Sequence, residues 1–282
     1  MKITKRAAGD RGRTRFDWLD SWHTFSFGEY RDPSHMGFRA LRVINDDVVE
    51  PGTGFGQHPH RDAEILTYVL EGQLQHRDSM GNGSIIRAGD LQYMSAGNGV
   101  THSEFNPSPN ERTHLLQIWI LPDQHGGAPR YAERPLGEAK PNALTLLFTG
   151  KPRDGAVGIR ADADVYVGKL DADHRLSHRP AAGRGVWIHV FAGDASVGGE
   201  TLGAGDSAAI EDADVYVGKL DAGERIAHRT SADRGVWLHQ IAGTIAVGGE
   251  TLGPGDGAAI EGADAIEIEA RSGAEFLLFD LR

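Results

Sequence analysis

The stretch from residue 40 to residue 121 is a succession of short apolar runs separated by glycine-containing turns. No segment in it repeats its apolar residues with the period of a helix, and runs such as 65–70 and 115–121 are rich in aliphatic and aromatic residues. Glycine accounts for 38 of the 282 residues, which is about twice the usual share and indicates many tight turns. Many short strands with regular turn signals predict a β-barrel or a β-sandwich.

Composition excludes several classes of function. The net charge of −11 argues against direct nucleic-acid binding through a basic surface, although it permits contact with a basic protein. The chain has no cysteine, which removes disulfides, thiol catalysis and thiolate ligands. The basic residues 1–6 are followed by polar ones, and no window holds the roughly 18 apolar residues of a spanning helix. We expect a cytoplasmic protein without a membrane partner.

A proline-rich connection divides the chain into two predicted domains. Prolines recur within residues 122–142, among them Pro122, Pro129 and Pro135, and such clusters mark linkers. A second β-rich region follows, from Leu144 to Leu281. The predicted domains are therefore residues 1–135 and residues 136–282.

The second domain contains a tandem duplication. Residues 162–211 recur as residues 212–261, and roughly 35 of the 50 aligned positions are identical. Two copies are too few for a solenoid. We expect one copy to complete the second barrel with the tail, residues 265–280. The other copy would add strands outside it, as a partial third barrel or as an exposed edge through which an oligomer could form.

Two pairs of potential metal ligands lie in the first domain. His58 and His60 are two residues apart, as are His102 and Glu104, so each pair shares one face of a strand. If the two strands pair, the four side chains converge. Three imidazoles and a carboxylate suit Fe(II), Mn, Co, Ni, Cu or Zn. Glu64 is an alternative fourth ligand, and the spacing alone leaves that choice open.

The remaining histidines are expected to have structural roles. In the first domain His23 is expected on a polar face, and His76, His114 and His125 are expected to be hydrogen-bonded surface or core residues. The second domain has no His-x-His pair among its histidines, which are His174, His178, His189, His228 and His239. His178 and His228 occupy equivalent repeat positions, as do His189 and His239, and this doubling follows from the duplication.

The spacing around the four potential ligands resembles the two motifs of the cupin superfamily. The first motif matches from Gly52 through His58, His60 and Glu64 to Gly72. The second matches more loosely between Gly89 and Asn106, with Ser95 where the cupin pattern has proline and with two extra residues before His102.

Further segments resemble the bacterial branch of the pirin family. The resemblance is dense from about residue 10 to residue 160 and looser beyond. It rests on residues 16–21, 35–38, 41–45, 56–72, 90–97, 102–106 and 116–120, and on 186–187 and 275–280. It implies an all-β fold of two cupin barrels in tandem (double-stranded β-helices, or jelly rolls), with the metal in the N-terminal barrel only.

The resemblance also implies a ligand set and an activity. It makes Glu104 the fourth ligand and leaves Glu64 to orient a ligand histidine. Fe(II) is the expected metal, and the implied enzyme is a quercetin 2,3-dioxygenase acting on a flavonol-like aromatic substrate and dioxygen. In this reading Glu104 stays a ligand or acts as the catalytic base. Four side chains are expected to wall an apolar pocket: Phe38, Phe55, Met94 and Phe105.

The alternative reading is a non-enzymatic regulator. In it the redox state of the metal changes a surface that binds a partner protein, as eukaryotic pirins are thought to do. This requires the two metal states to differ in their affinity for the partner.

Overall fold

The structure is a computed structural model that describes most of the chain. The residues outside the description are 1, 136–140, 170, 173–177, 179, 181–183, 198–199, 212, 221, 223–224, 230–234, 243, 253–256, 262–264, 273 and 282. The described residues form strands and turns, with one short 3-10 helix at Ala8–Asp10. The all-β prediction is confirmed.

The strands are numbered in chain order. The first fifteen are β1 (Lys2–Arg6), β2 (Gly12–Phe16), β3 (Leu19–His23), β4 (Leu41–Val49), β5 (Gly54–His60), β6 (Glu64–Glu71), β7 (Gln73–Asp78), β8 (Gly83–Arg87), β9 (Asp90–Ser95), β10 (Val100–Phe105), β11 (Thr113–Ile120), β12 (Arg130–Pro135), β13 (Ala143–Thr149), β14 (Val157–Gly158) and β15 (Asp164–Lys169). The others are β16 (Val186–His189), β17 (Ala195–Val197), β18 (Glu200–Leu202), β19 (Ser207–Glu211), β20 (Ala213–Leu220), β21 (Arg225–Arg229), β22 (Gly235–Ala242), β23 (Ile245–Val247), β24 (Glu250–Leu252), β25 (Gly257–Glu261), β26 (Ala265–Ala270) and β27 (Ala274–Leu281).

One compact unit comprises residues 6–178 and 203–206. It contains a seven-stranded sheet in the order β12-β9-β6-β11-β4-β3-β2 and a four-stranded sheet in the order β5-β10-β7-β8. Buried residues of both sheets meet in one apolar cluster, Val69 and Leu115 from the larger sheet and Leu74 and Ile86 from the smaller. The two sheets therefore face each other across a shared core, as the barrel prediction requires. A smaller sheet, β14-β13-β15, belongs to the same unit.

A row of polar side chains crosses the inner face of the seven-stranded sheet. Each member lies opposite the next in the strand register, and all are buried. We call it the polar row: His23, Asn45, Gln117, Thr67 and Gln92. His23, expected on a polar face, is instead buried, with hydrogen-bond contacts from its ring to Thr14 Oγ1 (2.8 Å) and Asn45 Oδ1 (2.9 Å). The interior is thus polar at the level where the four-stranded sheet carries the candidate ligands.

The other compact unit comprises residues 1–5, 179–202 and 207–282. The second repeat copy pairs with the tail strands, in the sheets β20-β27-β22-β25 and β21-β26-β23-β24. Strands β16 to β19 of the first copy form two smaller sheets, β17-β18 and, together with the N-terminal strand β1, β1-β19-β16. The predicted domain boundary at residue 135 stays a prediction, because it adjoins residues outside the description.

Within the described residues, the structure contains no helix with the length and apolar character needed to cross a bilayer.

Candidate metal centre

The first ligand pair lies on β5 and the second on β10, and these two strands are antiparallel neighbours. The register places His102 opposite His58 and Val100 opposite His60. A bulge between His102 and Glu104 shifts the register, so that Glu104 lies opposite Phe55. The alternation of strand side chains and this register together bring the histidines to one face of the four-stranded sheet.

Three imidazole rings converge there. The ring centroids are 4.8 Å apart for His58 and His60, 4.4 Å for His58 and His102, and 4.8 Å for His60 and His102. The Nε2 atoms of His58 and His102 are 3.0 Å apart. The potential ligand atoms of all three lie within 4.8 Å of one another. The structure thus brings together the three histidines that the spacing singled out.

The chemistry of this donor set fits a divalent transition metal. His58 Nδ1 donates a hydrogen bond to the carbonyl oxygen of Gly56 at 2.7 Å, so Nε2 of a neutral His58 carries a lone pair that faces the cluster. Burial lowers the pKa of His60 to about 4 and that of His102 to about 3, and neighbouring imidazoles add to both effects. At neutral pH these two rings are uncharged, the form that coordinates a metal.

Glu104 is buried beside the three rings but belongs to a different group of potential ligands. Its carboxylate lies with His76 and His102 within 4.8 Å, whereas the group around His58 does not include it. Its Oε2 accepts a hydrogen bond from Gln117 Nε2 at 2.9 Å, and its Oε1 has only a long contact with Thr67 Oγ1 at 3.5 Å. Glu104 as the fourth ligand therefore stays a prediction.

Glu64 is held by donors other than a ligand histidine. Its Oε1 accepts a hydrogen bond from Ser95 Oγ at 2.5 Å, and its Oε2 accepts from Tyr93 Oη at 2.5 Å and from the backbone N–H of Arg160 at 2.9 Å. None of these donors is a ligand histidine, and the described contacts of Glu64 do not show the orienting role that was predicted for it. Ser95, which replaces the proline of the cupin motif, supplies one of the hydrogen bonds.

His76 is the residue of this region that the sequence analysis did not assign to the site. It lies on β7 opposite Glu104 of β10 and is fully buried. Its Nδ1 is 3.5 Å from Nδ1 of His102. The alternation along β7 places His76 on the same face as the buried Leu74, and this was the available signal that the side chain points inward.

The other histidines have ordinary partners where the structure describes them. His114 Nε2 lies 2.6 Å from Asp46 Oδ1, and His125 is largely exposed. In the second half, the ring of His178 contacts Tyr166, and His189 Nδ1 lies 2.8 Å from Ser207 Oγ. The remaining predictions fall outside the described residues or side chains: His174, His228 and His239.

Aromatic rings lie on two sides of the histidine cluster. Phe55 lies 6.4 Å from His58 and contacts Trp18 edge-on, and Trp119 lies edge-on to His60 at 4.9 Å. Of the four side chains expected to wall the pocket, Phe55 has a ring contact with the cluster.

The other three expected wall residues lie elsewhere. Met94 is buried in the adjacent apolar cluster, Phe105 is exposed, and Phe38 packs against Arg39. The other aromatic neighbours of the site are Trp119, which contacts His60, and Trp18, which contacts Phe55.

Comparisons with known proteins agree with this architecture. A family model described as Pirin matches residues 4–120, and one described as Quercetinase C-terminal cupin domain matches twice, at residues 146–214 and 210–281. A protein named Quercetin 2,3-dioxygenase from Escherichia coli (strain K12) is 50% identical over 208 residues, covering 74% of this chain and 89% of that protein. A Pirin-like protein from Caulobacter vibrioides is 42% identical over 211 residues, covering 74% and 90%.

Two solved structures are similar over nearly the whole chain. The crystal structure of YhhW from Escherichia coli has a TM-score of 0.56 at 40% identity and covers 100% of this chain and 98% of that one. The bacterial pirin YhhW in complex with nickel(II) has a TM-score of 0.55 at 40% identity, with 99% of each chain covered. The Pirin model matches residues 4–120, and the Pirin-like relative is 42% identical over 74% of this chain. This chain therefore belongs to the pirin family.

Proposed function

We propose that this chain is a metal-dependent dioxygenase of the quercetin 2,3-dioxygenase type, with a divalent metal held by His58, His60, His102 and Glu104. The observation that carries the proposal is the convergence of three imidazoles with their ligand atoms within 4.8 Å of one another. A relative that is 50% identical bears the name of this activity. The identity of the native metal is part of the proposal: Fe(II) is the expected ion, while the related YhhW structure contains nickel(II).

The bound metal would supply a Lewis acid for a substrate oxygen and a route for electrons to dioxygen. The chain's own residues fix where this chemistry takes place. His102 and Glu104 enter from one strand and His58 and His60 from its neighbour, so four side chains are positioned by a single strand pair. Ligands on paired strands are held more rigidly than ligands on loops.

Glu104 can serve as a ligand or as a base because its two oxygens are held unequally. Oε2 is fixed by Gln117 at 2.9 Å, whereas Oε1 has only the 3.5 Å contact with Thr67. The weakly bonded Oε1 is available to coordinate a cation or to take the proton of a flavonol hydroxyl group. We propose Glu104 as the catalytic base on this ground.

The aromatic surroundings support a flat, apolar substrate. Phe55 with Trp18 on one side, and Trp119 on the other, present ring faces and edges close to the imidazoles. Aromatic rings favour offset or edge-on contact with another ring, which suits a flavonol.

An aerobic assay of the Fe(II)-loaded protein with quercetin tests the proposal. We expect quercetin consumption with release of carbon monoxide, and loss of both in the double variant His58→Ala/His60→Ala. His114→Ala is the matched control, because His114 pairs with Asp46 outside the cluster. Equal background turnover by the unaltered chain and the double variant would contradict the enzyme, and metal retained by the double variant would contradict the site.

A further inference from the structure

His102 has a partner on each side of its ring. Its Nε2 is 3.0 Å from His58 Nε2, and its Nδ1 is 3.5 Å from His76 Nδ1. The other ring nitrogen of His76, Nε2, is 3.2 Å from Asp78 Oδ2. The side chains of His76 and Asp78 are both 0% exposed. A buried line of contacts thus runs from Asp78 through His76 to the candidate ligand His102.

The proton positions along this line follow from its carboxylate end. Asp78 accepts hydrogen bonds from the backbone N–H groups of Met80 and Asn82 and from Asn82 Nδ2, at 2.8–3.0 Å. Three N–H donors at one buried carboxylate favour its ionised form. An ionised carboxylate can only accept, so His76 Nε2 is the donor toward Asp78.

A neutral His76 then has a bare Nδ1. Gln92 Nε2 lies 3.0 Å from this atom and donates to it, so the one lone pair of Nδ1 is shared between Gln92 and the longer contact with His102. For the contact with His102 Nδ1 to be a hydrogen bond, His102 must therefore carry its proton on Nδ1. Its Nε2 is left with the lone pair, facing His58.

We propose that Asp78 and His76 are positioning residues that hold His102 in the tautomer and orientation presenting Nε2 to the metal. The inference rests on the proposed metal site and adds two residues to it. Ligand histidines commonly donate their second ring N–H to an acceptor that fixes the tautomer and raises the basicity of the ligand atom. Here the acceptor is another histidine, which is itself held by a buried carboxylate.

The same residues admit a second interpretation. His76, His102 and Glu104 form their own group of potential ligands, and a second cation could lie among them. The hydrogen bond from Gln92 opposes this, because it directs an amide N–H at His76 Nδ1. A cation bound to that atom would have to displace this donor.

Nickel(II) binding to the full chain, measured by equilibrium dialysis with elemental analysis, tests the proposal. We expect one nickel per chain in the unaltered protein. His76→Phe should raise the Kd by about 10- to 100-fold, since it removes the acceptor while its ring can keep the stacking on Tyr131 (4.9 Å, 23°). Asp78→Asn should raise it less. The double variant should lose little more affinity than His76→Phe alone, because the hydrogen-bonded path from Asp78 to His102 runs through His76.

Two further variants separate positioning from structural support. His23→Phe makes the same exchange at another buried histidine of this unit and should leave the Kd for nickel unchanged. His76→Gln restores an acceptor oxygen and should recover part of the affinity for nickel. If His76→Phe does not fold, the Kd values of His76→Gln and Asp78→Asn are compared with that of the unaltered chain instead. Thermal unfolding of the metal-free variants establishes which of them fold.

The outcomes are distinct. An unchanged Kd in His76→Phe, or additive losses in the double variant, would overturn the positioning role. Two nickel ions per chain, falling to one in His76→Phe, would establish the second site instead. No nickel binding by the unaltered chain would overturn the metal site of the proposed function, and the positioning role with it.

Discussion

Buried polar side chains hold the candidate site in place at the level of single residues. Two members of the polar row donate directly to it: Gln117 to Glu104 at 2.9 Å and Gln92 to His76 at 3.0 Å. A buried polar group without a partner costs about 1–3 kcal/mol, so these amides and the site groups stabilise one another. Gln117 and Gln92, which lie on the opposite sheet, are thus part of the site.

Asp47, on the inner side of β4, is a buried carboxyl in this polar interior. Burial raises its pKa from the ordinary 3.8 to about 7, against a hydrogen bond from Ser21 that lowers it. Because the folded-state pKa exceeds the unfolded one, the contribution of Asp47 to stability is complete below about pH 4 and is lost as the pH rises through about 7.

We therefore expect Asp47→Asn to be more stable than the unaltered chain at pH 8, and to lose this advantage towards pH 4. The difference should change by at most about 1.4 kcal/mol per pH unit. Urea unfolding across this range measures it, with Asp17→Asn, at an exposed position, as the control. A stability difference that does not vary with pH would contradict the assignment.

At the scale of elements, the turn between β6 and β7 joins the two facing sheets. Gly72 alone separates these strands, and it adopts φ +74°, a conformation that favours glycine. A Cβ added there would overlap the backbone of Arg112 and Thr113. The turn therefore requires glycine for both conformation and space, and it sets the start of the strand that carries His76.

Gly72→Ala should destabilise the fold by more than strain alone, which is of order 1–3 kcal/mol. Gly81→Ala is the matched control, because Gly81 also has a positive φ (94°) but nothing within 4 Å of an added Cβ. Chemical denaturation of both variants gives the comparison. Equal losses of unfolding free energy would show that the overlap with Arg112 relaxes without cost.

The two copies of the repeat show how identical strands acquire different partners. Val165 of β15 lies opposite Phe148 of β13, whereas the equivalent Val215 of β20 lies opposite Phe279 of β27. Both copies place a valine opposite a phenylalanine in the strand register. The local sequence thus specifies the strand and the kind of partner it needs, while its place in the chain decides which partner it meets.

At the scale of the whole molecule, the second copy is separable from the candidate metal centre. Residues 212–261 form sheets with the tail strands β26 and β27, within a unit that contains none of the four proposed ligands. That the duplicated segment mediates an oligomer stays a prediction, which light scattering of the full chain and of a single-copy chain would test.

Deleting residues 212–261 should leave one bound metal per chain, measured by elemental analysis after nickel(II) loading. The tail can then pair with the remaining copy, whose strand Asp164–Lys169 is identical in sequence to Asp214–Lys219. Deleting residues 162–211 instead is the matched control, since it leaves nearly the same sequence. Loss of metal from either chain would show that the duplication supports the site.

The sequence alone determined the all-β class and the two pairs of potential ligands, each on one face of a strand. Both follow from local rules: glycine turns bound the strands, and alternation puts His58 with His60, and His102 with Glu104, on one face. Only the tertiary structure placed His76 beside His102, gave Glu64 to Tyr93 and Ser95, and assigned different partners to the two repeat copies. These outcomes depend on register and on contacts between distant strands, and no local period in a sequence encodes which strands become neighbours.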